Sequence, residues 1–206
     1  PSTTSPRPCL IGCWHTHITT TYENGGAPPQ AGDQGISNEE SAWYSNWALH
    51  LGGIDWGGQR ALVSPGKDNL FYFALPCSDF DEHGPLWSHV SRSPWAHEHG
   101  DNGQSWFKNK WIQVQRHGVS VYLQWADVGP LYTDDCRYVF GTARPRQEHT
   151  HIASALDISP LAFKSLTGGD LRVGVIQTNW RFVNADQVPA GDWRINVTRA
   201  GPDWQS

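Results

Sequence analysis

Apolar and β-branched residues along this chain fall in short runs, and Gly, Pro and charged residues separate them. Residues 14–22 (WHTHITTTY) combine β-branched and aromatic side chains and predict a strand. Residues 70–75 (LFYFAL) predict a buried strand that Pro76 stops. Residues 111–115 and 119–125 predict the two arms of a hairpin around Arg116-His117-Gly118. Residues 171–176 and 180–183 predict two further strands. Helical signals are fewer. Ser37 followed by Glu40 has the form of a capping box, and Trp43, Trp47 and Leu51 follow at helical spacing until Gly52-Gly53. Ser159-Pro160 places an N-cap before a proline suited to the first helical turn, and that helix runs through Leu166 to Gly168-Gly169. Residues 23–36, 78–105 and 141–151 are polar loops. Many strands and two short helices predict a mainly β protein, a barrel rather than an α/β sheet.

The chain has 206 residues, enough for one well-packed domain and too few for two of ordinary size. Residues 1–8, rich in Ser, Thr and Pro, read as a disordered tail, which leaves 9–206 as a single domain. A net charge of −5 without any basic run argues against nucleic acid or an anionic membrane as partner. No apolar stretch is long enough to span a bilayer. The tail, the lack of methionine and an even cysteine number together predict a secreted protein. Four cysteines allow three connectivities. Cys9 and Cys13 flank a short loop, while Cys77 and Cys136 each end a barrel segment, so Cys9–Cys13 and Cys77–Cys136 is the expected pairing. Asn196-Val197-Thr198 is a glycosylation sequon if the source is eukaryotic.

Two segments carry a family resemblance. Gln124-Trp125-Ala126-Asp127-Val128-Gly129-Pro130 follows directly on a predicted strand, and Ala155-Leu156-Asp157-Ile158-Ser159-Pro160 leads into a predicted helix. In that order they resemble the double-psi β-barrels of rare lipoprotein A, the expansins and family 45 glycoside hydrolases. Lys108-Asn109-Lys110-Trp111 sits where these barrels place a strand, and Thr20-Thr21-Tyr22 is similar to their Thr-x-Tyr first strand. The resemblance covers residues 106–183 well and the first strand loosely. It implies a six-stranded double-psi barrel with long decorating loops. It also implies Asp157 as a general acid, assisted by Asp127 and Tyr22, in a groove for cell-wall polysaccharide. One position departs: where family 45 hydrolases carry a catalytic-base Asp, this chain has Asn24, with Glu23 beside it.

The same residues have plainer readings. Asp157 could cap the helix that begins near Ser159, and Asp127 could hold the turn at Val128-Gly129-Pro130. Tyr22 could be an ordinary barrel aromatic. Twelve tryptophans suit an indole-rich core, while Trp87, Trp95 and Trp125 are candidates for stacking on sugar rings. His15/His17, His97/His99 and His149/His151 could each offer two imidazoles to a metal, yet ten histidines produce such pairs by chance, and no metal or cofactor is expected. Asp79 and Asp81 read as solvated loop residues. The leading expectation is a monomeric, secreted enzyme that cleaves a β-linked wall glycan (glucan, peptidoglycan or chitin) by hydrolysis or lytic cleavage. Its alternatives are a non-catalytic, expansin-like carbohydrate-binding or wall-loosening protein, and a secreted inhibitor or effector that uses the barrel as a scaffold.

Overall fold

A computed structural model describes residues 11–26, 36–38, 40–44, 46–52, 66–98, 105–146 and 154–199. Nine strands occur among them: β1 (His15–Gly25), β2 (Ile36–Asn38), β3 (Tyr72–Leu75), β4 (Phe80–Asp81), β5 (Gly84–Pro85), β6 (Trp111–Arg116), β7 (Val119–Val128), β8 (Leu156–Ile158) and β9 (Val175–Val183). Six of them pair in the order β1-β8-β3-β7-β6-β9, and β9 pairs back onto β1, so the sheet closes into a barrel. Closure removes the unpaired edges that an open sheet would expose. β2 adds in parallel beside the end of β1, and β4 with β5 forms a separate small ribbon. Within the barrel, β1·β8 and β3·β7 are parallel, and the remaining pairs are antiparallel.

The helices are short. They are α1 (Trp47–His50), α2 (Trp87–Val90), α3 (Cys136–Val139) and α4 (Pro160–Thr167), with three single 3-10 turns among the described residues. The fold is therefore mainly β, as the hydrophobic pattern predicts. The β6–β7 hairpin also follows the prediction, with Arg116 paired to Val119 and both His117 and Gly118 at positive φ. Those dihedrals suit the right-handed strand twist. α4 begins where expected: the Ser159 side chain accepts from Ala162 N, Pro160 occupies the first turn, and Gly168 closes it in the left-handed region.

Three expectations are revised. The helix placed at Ser37–Leu51 reduces to the single turn of α1, and Ser37 lies in β2. Residues 171–176 and 180–183 are not two strands; Leu171–Val173 is a 3-10 turn and β9 runs unbroken from Val175. The sixth barrel strand is β8, whose three residues are too short for an alternation pattern to reveal.

The barrel is filled by aromatic side chains. Trp125 is fully buried, stacked on Phe107 at 5.1 Å and lying 5.4 Å from Phe73 and 5.9 Å from Phe182. Its indole N–H donates to Asp127 O, and the buried Trp180 indole donates to the Tyr138 hydroxyl, so neither buried donor is left unpaired. Cys77 and Cys136 form a disulfide, as expected. Cys13 is also disulfide-bonded, and its partner lies outside the described residues, as Cys9 does. The predicted tail, His99, His149 and His151 lie outside them as well. Replacing Trp125 with Ala should remove about 3–5 kcal/mol of stability, the usual cost of emptying a large aromatic site. Denaturant unfolding measures this, and a loss below about 1 kcal/mol would mean that Trp125 is not central to the core.

Candidate functional site

Strand register assembles the site. Thr21 on β1 pairs with Asp157 on β8, Asp157 pairs with Ala74 on β3, and Ala74 pairs with Asp127 on β7. Directly paired residues share a face of the sheet, so these four form one row across four strands. A register shift between Phe73 and Ala74 brings Asp127 rather than Ala126 into that row. The backbones of Asp157 and Asp127 are thus two strand spacings apart, about 10 Å. In that row the small side chain of Ala74 stands between them.

Alternation along β1 places Glu23 on the same face as Thr21, two residues further on. Alternation along β3 places Tyr72 on the face of Ala74. Tyr72 is fully buried; its hydroxyl donates to Glu23 O at 2.6 Å and accepts from Gly25 N at 2.7 Å. A Cβ on Gly25 would lie 2.7 Å from that oxygen and 2.8 Å from the Trp47 ring, so only glycine admits this approach. Burial raises the Tyr72 hydroxyl pKa well above its ordinary value. The negative charges of Glu23, Asp127 and Asp157 push the same way, against the Gly25 hydrogen bond. Three acidic side chains therefore lie close enough to act on one neutral phenol.

Asp157 is 2% exposed. Burial pushes its carboxyl up from 3.8 to about 7, the Ser154 hydrogen bond opposes that, and the charge of Asp127 adds to it. Ser154 Oγ has one proton to give, and Asp157 Oδ1 at 2.9 Å, Leu156 O at 2.8 Å and Thr19 O at 3.3 Å compete for it. A protonated Asp157 can donate to Ser154 Oγ instead, which frees the serine proton for Leu156 O. The arrangement accommodates the neutral acid. Asp127 is also 2% exposed, and one of its oxygens accepts from Ala42 N at 2.5 Å. That bond ties residues 40–44 to the site, where Trp47 also packs on Tyr72 at 5.1 Å.

Register places Asp157 and Asp127 in one row, and both are buried rather than open to a groove. The structure also separates Asp157 from the helix-cap role, because Ser159 makes the cap and Asp157 lies within β8. Tyr22 is placed differently: it pairs with Ile158, out of phase with Asp157, and packs against Phe163 at 5.0 Å. Asn24 is likewise on the opposite face of β1 from Glu23. Of the three tryptophans, Trp125 and Trp95 are buried in the core, whereas Trp87 is 62% exposed and rests edge-on against Trp106. Asp79 is not solvated; one oxygen accepts from Ser105 Oγ, Trp106 N and Phe107 N, while Asp81 is exposed. The Asn196 amide of the sequon donates to Gly66 O and Asp68 O, bonds that a glycan on that nitrogen would disturb. His15 and His17 do not form a matched pair, since a bulge lies between His15 and Ile18, and His15 is buried while His17 is exposed. Tyr72 and Ser154 escaped the sequence reading, and Glu23 entered it only as the neighbour of Asn24. Alternation from Thr21 points to Glu23 and alternation from Ala74 to Tyr72, but no local signal marks Ser154.

No family model matches the chain, and no curated protein matches it. Among solved structures the chain is similar to the Streptomyces papain inhibitor (SPI), with a TM-score of 0.38 and 15% sequence identity over 84% of this chain and 97% of that one. That likeness is too loose to assign a function.

An acid that titrates near 7 when folded and near 3.9 when unfolded holds its proton more tightly in the folded chain. Its contribution favours folding below pH ~4, and stability declines as pH rises toward 7, at up to about 1.4 kcal/mol per pH unit. Asp157→Asn should therefore gain stability relative to the natural chain between about pH 5 and about pH 8, measured by urea unfolding at both. An unchanged difference would place the Asp157 pKa in the ordinary carboxylate range.

Proposed function

We propose that this chain is a polysaccharide-cleaving enzyme on a double-psi barrel, with Asp157 as general acid and Asp127 as the second carboxyl. The strand cycle supports the barrel type. Exchanging β1, β3 and β6 for β7, β8 and β9 maps the cycle onto itself, parallel pair onto parallel pair. The single observation that carries the chemistry is the Asp157–Ala74–Asp127 row, in which burial keeps Asp157 protonated close to neutral pH. A general acid must hold a transferable proton at its working pH. Cleavage by two carboxyls needs them roughly 5–10 Å apart, a separation that two strand spacings and a shared face permit. Glu23, on the same face, carries a carboxyl that can act as a base, which the Asn24 amide cannot. A disulfide is compatible with an extracellular setting, and among the described residues no helix is long and apolar enough to cross a membrane.

Both aspartates are 2% exposed, so a sugar chain reaches them only when residues 40–44 lift from Asp127. The same burial favours the alternative, a non-catalytic carbohydrate-binding or wall-loosening protein in which the carboxyls serve the fold. Incubation with β-glucan, chitin and peptidoglycan, followed by mass analysis, separates the two. The enzyme reading expects cleaved products, with reducing ends for hydrolysis or anhydro ends for lytic cleavage. Asp157→Asn should lower the rate by about 10²-fold or more while pull-down on the same polysaccharide is unchanged. Binding without products, or full activity in Asp157→Asn, would end the catalytic assignment.

A further inference from the structure

A cavity opens far from the carboxylate row. His15 lies six residues before Thr21 on β1, roughly 20 Å along the strand. A cavity of about 460 Å³ forms there between the start of β1 and residues 138–145, lined by Trp14, His15, His17, Tyr138, Thr142 and Arg144 among others. That volume lies within the ordinary range for small-ligand sites.

Three features mark it as built. First, His15 is only 7% exposed, stacked on Trp180 at 4.0 Å and edge-on to Tyr138, yet its Nε2 has no hydrogen-bond partner. A buried polar atom without a partner is uncommon and costly. Burial lowers the His15 pKa to about 4, so the ring is a neutral wall of the cavity at physiological pH. Second, the bulge between His15 and Ile18 holds His17 at φ 56°, with its N–H donating to Asn179 Oδ1. Bulges and left-handed non-glycine residues re-aim side chains and collect at functional sites. Third, the fixed charge is one-sided. Arg144 is exposed at the rim, and no carboxylate is among the lining residues, in a chain of net charge −5.

We propose that this cavity binds a carboxylate-bearing sugar, a single uronic acid residue or chain end. Arg144 holds the carboxylate, because a guanidinium matches its two oxygens. The partly exposed Trp14, backed by Arg181 at 4.7 Å from its ring centre, supplies apolar surface for a sugar face, above the buried Tyr138. Thr142 offers a hydroxyl to the sugar's own. This site is independent of the reaction assigned to Asp157.

The test follows the imidazole C–H signals of His15 and His17 by NMR during titration with D-glucuronate, D-glucose and acetate. Glucuronate should shift them saturably, with glucose and acetate each at least about 10-fold weaker, since each lacks half of the recognised chemistry. Arg144→Gln, a change at an exposed position, should weaken glucuronate by about 10-fold or more. Asp157→Asn should leave that affinity unchanged. No saturable shift with glucuronate, equal binding of glucose or acetate, undiminished affinity in Arg144→Gln, or an affinity that changes in Asp157→Asn would overturn the proposal.

Discussion

Strand β3 lies between β8 and β7, and at its middle stands Ala74, the one small residue between Asp157 and Asp127. Parallel pairing of β3 with β7 and antiparallel pairing with β8 fix which residues meet there, and a one-residue slip would send either carboxyl to the other face. The register is held by the aromatic filling next to it. Phe73 and Trp125 pair directly and are both fully buried, so their packing and the neighbouring acidic row are two readings of the same register. Disturbing the core therefore disturbs the site.

Burial and charge act together in this row. Removing two carboxyls from water disfavours their ionised forms, and placing them near each other makes a shared double charge costlier still. The chain meets this with Ser154 beside Asp157 and Ala42 N beside Asp127, so the two acids have different partners. Asp157 has a hydroxyl that can either give or take a proton bond. Asp127 has a backbone N–H, that of Ala42, donating to one of its oxygens. Different partners are what let two like groups take different roles.

Much of the fold was legible because strands β1, β3, β6 and β7 are long enough or apolar enough to pattern themselves, and α4 announces its cap, proline and closing glycine. β8 was not legible as a strand, since three residues carry no period, although its Leu-Asp-Ile sequence marked the site through resemblance. The helix expected from Ser37 failed for another reason: Trp43, Trp47 and Leu51 have helical spacing, but tertiary contacts decide the segment, with Ser41 bridging to Tyr44 and Trp47 packing on Tyr72. The site residues followed the same division. Asp157 and Asp127 were marked by their motifs, whereas Tyr22 and Asn24 were placed by sequence offset and not by face. Counting by twos from Thr21 leads to Glu23. Trp95 and Trp125 were indistinguishable in sequence from exposed tryptophans, because only the closed barrel determines which indoles turn inward.

The central claim is that Asp157 holds a proton near neutral pH because of burial and the neighbouring charge of Asp127. A carbon-13 NMR titration of the aspartate carboxyls measures this directly, with Asp157→Asn assigning the signal and Asp127→Asn removing the neighbour. Asp157 is expected to titrate at about 7 in the natural chain and lower in Asp127→Asn. A midpoint near 4, the range of an ordinary aspartate, or one unmoved by Asp127→Asn would contradict the account.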